Sequence, residues 1–130
     1  METAARFTLN DIRDANYVAL ETFRKNGEGV ITPVWQAAEN DNLYVWTIGS
    51  SWKVKRIRNN PQVRICASDY KGTPQSDWLD AQARILGTPE DEKAQHSRMA
   101  AKYGLQIWLF YLLAKIRRDN YVVLEISVNK

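Results

Sequence analysis

The sequence predicts a mainly β domain: six antiparallel strands closed into a small barrel, with helices at its periphery. Two observations carry that reading. Five runs of strand formers follow one another in mostly hairpin order, broken by turn residues and by one short basic helix. The longer helical stretches then come in the last third of the chain, after which a final β run returns to close the sheet. A chain of 130 residues without repeat, linker or low-complexity tract reads as one domain, 1–130, able to bury about two-thirds of its unfolded surface.

Taken in order, Met1 to Phe7 reads as a tail and Thr8 to Arg13 as a short helix capped by Thr8 or Asn10. Tyr17 to Phe23 is rich in strand formers, and Asn26-Gly27 supplies the hairpin turn before a second strand, Val30 to Ala38. Pro33 lies inside that strand and has no amide hydrogen, so it belongs at an edge, at a bulge or facing a ligand. The polar turn Glu39 to Asn42 leads to Leu43–Ile48, where Leu43, Val45 and Thr47 alternate with Tyr44, Trp46 and Ile48. Both sets are largely apolar or aromatic, which predicts a strand covered on both faces.

A short helix beginning near Trp52 follows, with Val54 and Ile57 facing inward, and then strands over Val63–Tyr70 and Ser76–Leu86. Thr88 caps a helix that Pro89 opens and that runs to about Lys102; Glu90, Asp91 and Glu92 complement its dipole, and Gly104 ends it. Leu105 to Arg118 reads as a further helix, apolar nearly all round through Trp108–Leu113, and is expected either to touch a second subunit as well as its own barrel or to serve as a simple core helix. Tyr121 to Val128 alternates again as the sixth strand.

The stretch Thr47 to Pro61 holds the chemistry. A strand end, the Gly49-Ser50-Ser51 turn and a helix start bring free amides, two serine hydroxyls and the cations Lys53, Lys55 and Arg56 toward one point, which suits a phosphate. No Asp or Glu occurs between Asp41 and Asp69, so Lys53, Lys55, Arg56, Arg58 and Arg64 have no acidic neighbour in sequence. A solvated basic face normally mixes signs. A field of one sign favours an anionic guest.

Composition narrows the remaining classes. With 45% hydrophobic and 25% charged residues the chain reads as soluble, and its longest apolar run, Ile107–Ala114, is far too short to span a bilayer. The net charge of +3 and pI near 9.1 permit a nucleic acid or membrane lipid as partner without requiring either. A single cysteine, Cys66, in the apolar phase of a strand reads as core, and with no secretory signal the expected setting is the cytoplasm. The single histidine, His96, lies in a charged helix and reads as solvent-facing. One His and one Cys leave little for a transition-metal site or a Cys/His dyad.

Tyr17–Arg24, Val30–Trp35, Leu43–Thr47, Lys53–Pro61 and Lys102–Gly104 follow one another in an order and spacing that resembles the pyridoxamine 5′-phosphate oxidase-like flavin-binding split barrels, in particular the short branch of coenzyme F420-dependent enzymes. The resemblance implies a six-stranded split β-barrel that forms homodimers and binds FMN or the deazaflavin F420 in clefts between subunits. It further implies that Lys53, Lys55, Arg56, Ser50 and Ser51 hold the cofactor phosphate with Thr47 nearby. Thr32, Pro33, Val34 and Trp35 would run along the ring, and Asp77–Ala81 would approach from the other subunit. Two departures stand out. Trp52 occupies a place where many relatives carry a small residue, and the C-terminus, Asn120–Lys130, lacks the Trp/Arg substrate motif of the vitamin B6 oxidases. Haem-degrading split barrels rely on additional histidine-bearing segments, which His96 alone does not supply.

The implied activity is hydride transfer between the cofactor ring and a small unsaturated substrate, with no side chain needed as a general base. Tyr44, Trp46, Trp78 and Tyr103 could line the substrate cleft or serve as core aromatics. A non-catalytic flavin-binding or storage protein is the alternative. A nucleic-acid binder is the remote one, since no RNP, KH or helix-turn-helix signature is present.

Overall fold

The computed structural model describes residues 11–104 and 121–128. The helix expected over Leu105–Arg118 and the N-terminal tail expected over Met1–Phe7 lie outside the described residues. The chain order is β1 (Tyr17–Phe23), β2 (Gly29–Glu39), β3 (Asn42–Ile48), α1 (Trp52–Asn59), β4 (Gln62–Ser68), β5 (Leu79–Leu86), α2 (Pro89–Tyr103) and β6 (Tyr121–Val128). The six strands form a closed barrel in the order β1-β2-β3-β6-β5-β4, every pair antiparallel.

Local chemistry sets the turns. Gly27 adopts φ +90° between β1 and β2, where Asn26 Oδ1 accepts from the Glu28 amide at 2.9 Å. Asn40, at φ 56°, turns β2 into β3. The strand expected to reach Tyr70 stops at Ser68, because Asp69 Oδ1 accepts from the amides of Lys71 and Thr73 and folds the chain back at Gly72. Likewise β5 starts at Leu79 rather than Ser76. Ser76 spends its hydroxyl on the Ala67 amide at 2.9 Å, and Pro74 has no amide to extend the ladder. The segment expected as a short helix through Arg13 shows, over its described part, one tight turn in which the Ala15 amide reaches Ile12 O at 3.0 Å.

Alternation fills the barrel. Val18, Leu20, Leu43, Val45, Val63, Ile65, Leu124 and Ile126 point inward, joined by Ile12 from the segment before β1. Each such Leu or Ile contributes about 1.5–3 kcal/mol by leaving water. Val54 and Ile57 join the same cluster, so α1 packs one face into the barrel and presents Lys55 and Arg58 outward. The opposite phase of β3, Tyr44 and Trp46, lies under α2 with Ala37, Met99 and Val123. β3 is thus covered on both faces, as its sequence predicts. Among the described residues no helix is long and apolar enough to cross a membrane.

Candidate functional site

The barrel is split along one seam. β2 pairs with β1 from Gly29 to Trp35, but its ladder with β3 begins only at Gln36, opposite Val45. Upstream of that point β2 and β3 diverge, and a cavity of about 220 Å³ lies between them, lined by Pro33, Val34, Trp35, Trp46, Thr47, Lys53 and Met99. Pro33 therefore sits where its missing amide breaks no ladder with β3. Its ring is backed by the turn after β4: a Cβ on Gly72, which adopts φ +86°, would come within 3.2 Å of Pro33 Cδ.

At one end of the cavity the chain turns from β3 into α1. The Ser51 amide donates to Ile48 O at 3.0 Å, and Ser51 becomes the N-cap of the helix in an extended conformation. Its side chain makes no capping bond, and its buried Oγ has no hydrogen-bond partner. The first turn contains no acid. The positive end of α1 is thus left uncompensated next to a buried, unused hydroxyl, an arrangement that costs free energy unless something accepts from it. Burial lowers the pKa of the Lys53 ammonium, and Arg56 lowers it further. An anion in the cavity would relieve both effects.

The expected phosphate residues do not all converge. Lys53, Thr47, Pro33, Val34 and Trp35 meet in one cavity; Ser51, two residues before Lys53, buries its Oγ at the helix start and is not among the lining residues. Arg56 instead donates from Nε to Thr22 Oγ1 at 2.6 Å, and with Lys55 and Trp52 it lines a second cavity of about 630 Å³. Lys55 Nζ lies 4.4 Å from the ring centre of Trp52, which is 71% exposed. Ser50 is exposed; Thr32 is half-buried and is not among the residues lining the smaller cavity. Arg64 belongs to the barrel surface: it pairs with Glu21 at 2.6 Å and lies over Trp78.

Of the four aromatics considered for a cleft, Trp46 lines the cavity and Tyr103 lies behind Trp35, ring centres 5.3 Å apart and nearly parallel. Tyr44 instead donates to Glu125 at 3.1 Å under the Arg98 guanidinium. Met99 is a lining residue that the sequence reading missed. Its signal was present, because Gln95, Met99 and Tyr103 recur at four-residue spacing on the inward face of α2. His96 is half-buried rather than solvent-facing, its ring edge-on to Trp46 at 6.5 Å. Cys66 is buried, and burial raises its thiol pKa, as a core cysteine requires. A wider groove of about 750 Å³ lies along α2, but its lining mixes both signs and includes the Arg98–Glu39 ion pair, so it lacks the single-signed field that favours an anion.

No family model and no curated protein matches the sequence. Solved structures match the fold. The conserved hypothetical protein Rv2991 of Mycobacterium tuberculosis superposes with a TM-score of 0.71 at 18% identity, over 100% of this chain and 86% of its own. HutZ of Vibrio cholerae, described as a heme storage protein, gives 0.69 at 13% identity over 94% and 88%. A protein described as F420 reductase gives 0.59 at 16% identity over 97% of both chains. Strand order, the seam between β2 and β3 and these likenesses identify the fold as a six-stranded antiparallel split β-barrel.

Proposed function

We propose that the chain is a flavin-type oxidoreductase that binds FMN or coenzyme F420 in the seam between β2 and β3 and acts on a small unsaturated substrate. The observation that carries this reading is the buried, unpartnered Ser51 Oγ at the uncapped start of α1, two residues from a half-buried Lys53 that lines the cavity. The donor set fits a phosphate: one hydroxyl, the first amides of a helix and one ammonium, with no acid in that turn. The remaining lining fits a planar ring, since Pro33, Val34, Trp35, Trp46 and Met99 offer flat or pliable apolar surface.

When bound, the cofactor supplies the hydride chemistry at its ring. The chain's own part is to hold and orient. Lys53 and the start of α1 fix the anionic end, while Trp35 and Trp46 exclude water from the walls. Thr47, buried at the end of β3, stands between the two regions. Among the described lining residues only Lys53 carries a titratable side chain, consistent with a reaction that asks no side chain to act as base.

The cavity of about 220 Å³ is smaller than the roughly 300–1,000 Å³ usual for ligand sites. A second copy of the chain placed across the open seam would supply the missing wall, and this supports a homodimer with the cofactor between subunits. The likeness to a protein described as a heme storage protein favours a second reading, a non-catalytic flavin carrier. Titrating the purified chain with FMN and with F420, followed by fluorescence, tests the binding. Saturable binding of either supports the proposal, and binding of neither overturns it. Reduction of a test enone or quinone by the reduced cofactor then separates enzyme from carrier.

A further inference from the structure

β2 changes neighbours halfway, and among the described residues each half leaves one edge without a strand. The first half is open toward β3, where the cavity lies. The second half, from Gln36, is open on the side of β1, because β1 begins only at Tyr17 and residues 13–16 turn away. Backbone carbonyls freed at such a crossover need donors. The last turn of α2 provides them. Lys102 Nζ donates to Ala15 O at 2.7 Å and Gln36 O at 3.0 Å and approaches Arg13 O at 3.4 Å. The Tyr103 hydroxyl lies 2.8 Å from Asn16 O and 2.9 Å from Gln36 O, and its one proton serves either. Gln36 Nε2 adds bonds to Ala15 O at 2.7 Å and Arg13 O at 3.1 Å.

This clamp meets the cavity at one residue. Trp35 is the last residue of β2 paired to β1, and it lines the cavity. Its ring is held between Tyr103, stacked at 5.3 Å and 19°, and Tyr17, edge-on at 6.2 Å. Continuing the register from Gln36 and Val45 would place Trp35 opposite Trp46 and Val34 opposite Thr47, closing the seam; Pro33, without an amide, would stop the closure there.

Building on the proposed cofactor site, we infer that Lys102 and Tyr103 are positioning residues: their carbonyl clamp at the β2 crossover holds the seam open and fixes Trp35 as a wall of the cofactor cavity. Neither side chain lines that cavity, so each acts through Trp35 and the strand register.

The test uses Lys102→Met, Tyr103→Phe and Tyr103→Leu, with Thr88→Ala as a control that weakens α2 at its far end. Affinity for FMN and for F420 and the visible circular dichroism of the bound flavin are measured on each. Lys102→Met is expected to weaken binding at least fivefold and to alter the dichroism. Tyr103→Phe, which keeps the ring on Trp35, is expected to weaken it about threefold, and Tyr103→Leu more. Thr88→Ala is expected to lower the melting temperature without moving affinity or dichroism. Wild-type affinity and dichroism in the Lys102 and Tyr103 variants would overturn the inference, as would an equal loss in Thr88→Ala. If Lys102→Met does not fold, the two Tyr103 variants decide. If the wild type binds neither cofactor, the functional proposal fails, and hydrogen exchange of the free chain decides the clamp alone. Slower exchange over residues 34–35 and 46–47 in Lys102→Met or Tyr103→Leu supports a seam that closes; unchanged exchange overturns it.

Discussion

Arg56 Nε donates to the buried Thr22 hydroxyl at 2.6 Å, tying the second turn of α1 to β1. Lys53, one turn earlier, lines the seam cavity instead. The two cations share a helix face in sequence, yet one is bonded to β1 and the other lines the cavity. Burial lowers the pKa of both, and Arg56 adds to the shift at Lys53, so each charge is held at some cost.

From that division, Lys53→Ala should weaken cofactor binding at least tenfold, on the scale of about 1.5–3 kcal/mol for a charged hydrogen bond. Arg56→Ala should act mainly on stability, because Thr22 loses its partner, and should weaken binding less. The double variant should lose at least tenfold. Fluorescence titration against thermal melting separates the two effects, and unchanged affinity in Lys53→Ala would refute the placement.

Ser51→Ala carries an unusual sign. Replacing an N-cap serine usually costs about 0.5–2 kcal/mol. In this helix the hydroxyl caps nothing and is buried without a partner, so its removal should leave the melting temperature of the free chain unchanged or raised. Cofactor affinity should fall severalfold. A fall in both would show that Ser51 serves the helix rather than a ligand.

Lys102 should give stability a distinct pH dependence. Burial lowers its pKa from 10.5 to about 8, with Asp14 opposing the shift. Between those values the unfolded chain binds more protons, so the Lys102 contribution becomes more favourable as pH rises from about 8 to 10.5. Tyr103, raised from 10.0 to about 12 by burial, acts oppositely: its contribution is present below pH 10 and is lost as pH rises through about 12. The melting temperature of wild type minus that of Lys102→Met should therefore increase from pH 8 to 10. A flat difference would contradict the shift.

Thr88→Ala should cost about 1 kcal/mol in urea unfolding. Thr88 Oγ1 accepts from the Asp91 amide and Asp91 Oδ2 accepts from the Thr88 amide, both at 3.1 Å, so one substitution breaks the reciprocal box. A loss well under half that size would mean that α2 is held by packing alone.

Periodicity and caps made most of this barrel legible. The alternation of Tyr121–Val128, the inward pair Val54 and Ile57 and the Thr88 cap all stand as read, because each depends on neighbours within one turn or strand. What escaped depends on distant partners. Arg64 has no acid near it in sequence but meets Glu21, 43 residues away, through the β1–β4 register. The start of β5 was misread because Ser76 has a backbone partner on another strand. The seam itself is a failure of β2 and β3 to pair beyond Gln36, which no local pattern encodes. Pro33 was the one local sign of it.

The claim beneath the functional proposal is that the start of α1 and Lys53 grip a phosphate. Comparing the affinity for each cofactor with that for its phosphate-free parent, riboflavin for FMN and the dephosphorylated deazaflavin for F420, tests this most directly. Two charge-assisted contacts predict a preference of about 100-fold or more for the phosphorylated form, collapsing at least tenfold in Lys53→Ala. Equal affinity of the wild type for the phosphorylated and phosphate-free forms would contradict the account.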